Sequence, residues 1–194
     1  MQNAQKPYLG FSLLEVMLVM GVVLVMAGAL VPSVMTGMQN YRISASTQEI
    51  ASQIQSARQR ALRNNAMCSF LILSPTRQFG IDVNGDGSLT AGTQDVLLNL
   101  DSNVSFADLD TPPAGISGES TLSTGNKTGI GFTPRGTVTS VSTSGTPDFN
   151  PANFPAGGFA IYLANTRNRF AAVTVSSTGR VRTWYSSTGT VWQR

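Results

Sequence analysis

The chain of 194 residues contains no histidine and a single cysteine, Cys68. The first absence removes the commonest general acid–base side chain and metal ligand near neutral pH. The second excludes an intrachain disulfide. Neither a G-x-S-x-G nucleophile elbow nor a phosphate-binding glycine loop occurs. Little is left for catalysis to work with, and the sequence reads as that of a non-enzyme. Cys68 lies in the apolar run "CSFLIL" and is expected to be a buried, inert thiol.

Charge is also scarce, at 12% of residues, and unevenly spread. Between Arg77 and Glu119 there are seven carboxylates and one cation, whereas from Ser120 onward Lys127 and six arginines face Asp148 alone. A net charge of +3 thus conceals an acidic middle and a basic C-terminal third. Nothing in the spacing of the acidic residues favours a catalytic carboxylate pair over solvated loops.

The scarcity is greatest near the amino terminus. Val16 to Tyr41 carries no charge, long enough to cross a bilayer core, which needs roughly 20 apolar residues. A secretory signal peptide cut after Ala29 (Ala27-Gly28-Ala29 has the small-x-small form) would leave a secreted β-domain protein. A retained helix spanning about 16–38 accounts better for Glu15, an acid at the mouth of the run that a signal peptide does not need. An intramembrane carboxylate costs on the order of 2.5–3.5 kcal/mol near the bilayer centre, less towards the interface, and is usually paired. Cleavage between Gly10 and Phe11 would create an α-amino group four residues before Glu15. That amine on one copy can neutralise Glu15 on its neighbour and fix the axial step between helices.

The stretch "GFSLLEV" resembles the class III leader of type IV pilins and pseudopilins: a short polar leader ending in Gly, then Phe, then Glu at the fifth mature position. The resemblance implies that a prepilin peptidase cuts after Gly10 and methylates the amine of Phe11. Pro32 suits the same family. It removes a helix hydrogen bond to the Gly28 carbonyl and permits a kink or local melting.

From Ser33 to about Asn65 the pattern is that of an amphipathic helix. Ile43, Thr47, Ile50, Ile54, Ala57 and Ala61 form one stripe, with Gln48, Gln55, Gln59 and Arg63 opposite. Joined to the membrane span, it predicts a rod on the order of 80 Å at 1.5 Å per residue, stopping near Asn64-Asn65. Ala57, Arg58, Ala61, Arg63 and Asn64 resemble the helix ending of GspH/FimT-type minor pseudopilins, and "GFTPRGT" and "FAAVTVSSTGRVRTW" resemble the same group. Beyond Met67 the periodicity turns to short strands, expected near 68–73, 79–83, 96–100, 104–107, 129–133, 137–142, 159–163, 169–176, 180–185 and 190–193, with loops over 108–128 and 143–157. The fold class is α+β: a leader (1–10), an N-terminal helix (11–65, transmembrane then amphipathic) and an antiparallel β domain (66–194), type IV pilin-like.

Two stretches are candidate sites. "DVNGDGSLTAGTQD" opens like a calcium-binding loop, with Asp82, Asn84 and Asp86 at alternating positions and Gly87 at the turn. Its twelfth position is Thr93 rather than Glu, and Asp95 falls two residues later, so the bland alternative is a hairpin loop. In "STGRVRTW", strand alternation puts Arg180, Arg182 and Trp184 on one face after the turn at Gly179, a pattern able to hold phosphates and stack on a base. It also resembles the GRxR motif of FimT-type pilins, which implies DNA binding in natural transformation, with Arg167, Arg169 and Arg194 extending the patch. The bland alternative is a cation-guarded β edge. The reading is a minor pilin or pseudopilin of the bacterial inner membrane, with Lys6 cytoplasmic and the C-terminal domain periplasmic. It would assemble with other pilins into a type II secretion pseudopilus or a type IV pilus. The alternative is a DNA-receptor pilin.

Overall fold

The structure, a computed structural model, describes residues 11–73, 76–92, 94–107, 109, 113, 120–121, 127–141, 147–148 and 158–194. The expected leader, with Lys6 and Gly10, and most of both expected loops lie outside the described residues. The chain divides into two compact units, Met1–Met38 and Gln39–Arg194.

One helix, α1 (Leu13–Asn64), contributes to both. Its start is set by Ser12, whose side-chain oxygen accepts a hydrogen bond from the Glu15 amide at 3.2 Å. Ser12 and Glu15 stand in the S-x-x-E relation of a capping box, and an acid in the first turn also complements the helix dipole. In the first unit the apolar side chains point outward: Phe11 is 83% exposed, Leu14 75% and Val25 76%. The segment is long and apolar enough to cross a membrane, and none of its most apolar window is buried in the protein. The helical backbone is continuous across Pro32.

In the second unit the stripe Ile43, Thr47, Ile50, Ile54, Ala57 and Ala61 is buried, and the Thr47 hydroxyl turns back to the Ile43 carbonyl at 2.6 Å. α1 ends at Asn64, and Asn65 takes the left-handed conformation (φ 47°) common just past a helix C-terminus.

Eleven strands follow among the described residues. β1 (Cys68–Leu73), β2 (Gln78–Asp82), β3 (Val96–Asn99), β6 (Lys127–Phe132), β7 (Val138–Val141) and β8 (Pro147–Asp148) form one sheet, ordered β3-β2-β1-β6-β7-β8. β4 (Val104–Ala107), β9 (Phe159–Asn165), β10 (Phe170–Val175) and β11 (Val181–Ser186) form the second, ordered β11-β10-β9-β4. β5 (Ser120–Thr121) adds a short parallel pairing to β9; the other pairings are antiparallel. The helix stripe, Phe70 and Phe132 of the first sheet, and Phe159, Ile161 and Val173 of the second belong to one buried cluster. This is the expected architecture, a long helix packed on antiparallel β structure. The expected strand at 190–193 is instead an isolated bridge between Gln193 and Tyr185.

Candidate functional site

Three stretches far apart in the chain converge on one side chain. Arg58, half-buried on α1, donates from Nε to the Gly136 carbonyl at 3.2 Å and from Nη1 to the Gly179 carbonyl at 3.3 Å. Gly136 belongs to "GFTPRGT" and Gly179 to "SSTGR". Both turns are built alike. Gly136 N bonds to Thr133 O at 2.8 Å and Thr133 N to Thr137 O at 2.9 Å; Gly179 N bonds to Ser176 O at 2.8 Å and Ser176 N to Arg180 O at 3.0 Å. Such three-residue hairpin loops need a left-handed residue in fourth place, and the glycines supply φ of 76° and 78°. Space demands glycine as well: a Cβ at Gly179 would stand 3.1 Å from the Arg58 guanidinium carbon. Gly179, first residue of the GRxR-like motif, thus has a structural duty independent of any ligand.

Beyond that turn, Arg182 and Trp184 share the outer face of the second sheet, opposite Thr174 and Ala172 of β10. The Trp184 indole donates to Thr174 Oγ1 at 2.9 Å and is only 7% exposed. The Arg194 guanidinium lies over its ring at 4.9 Å, and Trp192 packs on Tyr162 with centroids 5.8 Å apart. The expectation of an open indole for base stacking is therefore corrected: the C-terminal residues already cover that ring. The cations do gather. Burial, and then the charges of Arg180 and Arg194, lower the pKa of Arg182 from its ordinary value. The Arg182 Nε has no hydrogen-bond partner. On the other face of β11, the Tyr185 hydroxyl lies 3.2 Å from that of Ser44 on α1.

The acidic loop is a hydrogen-bonded turn. Fully buried Asp82 accepts the amides of Gly85 at 2.7 Å and Gly87 at 2.9 Å, one on each carboxylate oxygen. Asp86 accepts from the Ser88 amide at 2.7 Å and the Asn84 side-chain amide at 2.9 Å. Asp95 closes the loop by accepting from Val83 and Thr90, both at 3.1 Å. Desolvation raises the Asp82 pKa against the lowering effect of its two amide donors. Among the described residues no group of three or more acidic, histidine or cysteine side chains converges as metal ligands. Asp82, Asn84 and Asp86, the residues of the calcium expectation, thus hold the turn together through their own hydrogen bonds; Thr93 lies outside the described residues.

Cys68 is buried, its Sγ 3.5 Å from the Asp82 carbonyl, and burial pushes its pKa up to about 11. Thiolate is then negligible at pH 8, so a maleimide should leave folded protein unmodified and react stoichiometrically in denaturant. Labelling of the native chain at the rate of a free thiol would contradict the packing.

No family model matches the sequence, and no curated protein matches it. Two solved structures are similar in fold. One is the minor pseudopilin EpsH from the Type 2 Secretion System of Vibrio cholerae, at 13% identity and TM-score 0.43, covering 73% of this chain and 95% of that one. The other is the type IV minor pilin FimU of Pseudomonas aeruginosa PAO1, at 15% identity and TM-score 0.45, covering 76% of this chain and 90% of that one.

Proposed function

We propose that the protein is a minor pilin or pseudopilin, a non-catalytic subunit of a helical filament assembled from the bacterial inner membrane. The observation that carries this reading is the division of labour along α1. Its first half, charged only at Glu15, exposes an apolar surface to whatever surrounds it, and its second half packs in the core of a β domain. An apolar helix without partners in its own chain is satisfied by lipid before assembly and by other copies of itself afterwards. The "GFSLLEV" motif supplies the processing step, in which a prepilin peptidase cuts after Gly10 and methylates Phe11. Pro32, lacking an amide donor, is where the helix would melt or bend on entering the filament. Mass spectrometry of the mature protein tests the reading: the expected first residue is N-methylated Phe11. A mature chain starting at Leu30 would instead establish a secreted domain.

A second reading, a DNA-binding pilin, is favoured by one observation: Arg182 follows Arg180 on the turn side of the sheet's outer face, and Arg194 lies over Trp184 of the same face at 4.9 Å. Mutually repelling guanidiniums are relieved by a polyanion. Arg180→Ala with Arg182→Ala should weaken duplex binding at least about tenfold in a mobility-shift assay at low salt. Unchanged binding by the double variant would dismiss the receptor role and leave the assembly role untouched.

A further inference from the structure

We infer that the end of the globular unit where α1 enters is a docking surface for anionic phospholipid headgroups. The inference rests on the membrane-span reading of the preceding helix and adds to it. The unit begins at Gln39, and contacts with its first helical residues place several turns at that end. Arg42 on α1 meets Asp101 at 3.5 Å. Arg77 donates to the Ser102 carbonyl at 2.8 Å, and its own carbonyl accepts the Leu100 amide at 2.9 Å. The β9–β10 turn delivers Arg167 and Arg169, and Arg169 lines a cleft of about 310 Å³ with Asn40, Ile43 and Val191.

Arg77, Arg167 and Arg169 are exposed at this end. The one described carboxylate among these turns, Asp101, is engaged by Arg42. Beside the cations stand Tyr41, 75% exposed, and Val191, 67% exposed. Guanidiniums bind phosphate oxygens in a fork, tyrosine settles at headgroup level, and cations next to a span are drawn to anionic leaflets. A bilayer that accepts the apolar helix places headgroups at the residues that follow it, and here those residues are matched to them in charge and polarity.

The test uses the full chain in vesicles of phosphatidylcholine alone or mixed with phosphatidylglycerol, with a fluorophore on Thr166→Cys and a lipid-borne nitroxide quencher. Buried Cys68 stays unlabelled. Quenching should be at least about threefold stronger with phosphatidylglycerol. It should fall to the neutral-lipid level in Arg77→Gln/Arg167→Gln/Arg169→Gln, and a label on Thr178→Cys in the opposite turn should respond to neither change. Should the triple variant lose its fold, high salt applied to the parent gives the same reading, because screening must remove the difference. Equal quenching in both lipids, or salt-insensitive quenching, overturns the inference. A chain that floats with both vesicle types yet shows no lipid preference sinks this inference alone; failure to float with either sinks the span reading along with it.

Discussion

Arg58→Ala is expected to lower the unfolding free energy by about 2–4 kcal/mol, the worth of two charge-assisted hydrogen bonds in a partly buried setting, and to reduce Tm by on the order of 10 °C. Two turns lose their common anchor at once, because the Gly136 and Gly179 carbonyls both accept from this one guanidinium. Lysine should restore less than half of the loss, since a single ammonium lacks the fork that reaches both acceptors. Coupling provides the sharper check. Gly179→Ala must strain a φ of 78° and also push its methyl against Arg58 at 3.1 Å. In an Arg58→Ala background only the backbone strain remains, so Gly179→Ala should cost at least about 1 kcal/mol less there than in the parent chain. Thermal or urea unfolding of the four proteins settles it; equal costs in both backgrounds would show that the guanidinium does not govern the turn.

That arrangement illustrates what was readable in the sequence and what was not. The buried stripe of α1 follows from 3.6-residue periodicity, and the strands follow from β-branched and aromatic runs between glycine-containing turns, because burial of one face imposes both patterns locally. The hairpin turn at Gly179 was equally visible. Its partner was not: Arg58 lies 121 residues away, and no local rule pairs an arginine on a helix with two distant carbonyls. The same holds for Arg194 over Trp184, where alternation gave the face of the indole correctly and gave no hint that the chain's own end would cover it. The calcium-like loop is ambiguous for another reason. Aspartate and asparagine in a glycine-rich loop suit amide donors as well as cations, and the two uses share one spelling. Thr47 belongs to the buried helix stripe despite its hydroxyl, and the bond back to Ile43 explains why burial is tolerated.

Glu15→Ala is expected to leave membrane insertion intact and to reduce incorporation into filaments at least about tenfold, since removing an intramembrane charge favours insertion while leaving a neighbouring amine unpaired. The structure adds a competing account, because the Glu15 amide bonds to the Ser12 hydroxyl and the two residues stand at capping-box spacing. The two accounts separate cleanly. Ser12→Ala removes the cap, costs about 1 kcal/mol of local helix stability and keeps the carboxylate; under the pairing account it should assemble near the normal level. Glu15→Gln keeps a polar side chain of the capping box and loses the charge; under the pairing account it should fail almost as badly as alanine. Quantifying each variant in sheared filament fractions against its membrane pool gives the answer. If Ser12→Ala fails and Glu15→Gln assembles, the acid serves the helix end of its own chain. The opposite outcome means that the charge is needed by the next subunit, and that an isolated protomer carries an unmet electrostatic demand which only polymerisation relieves.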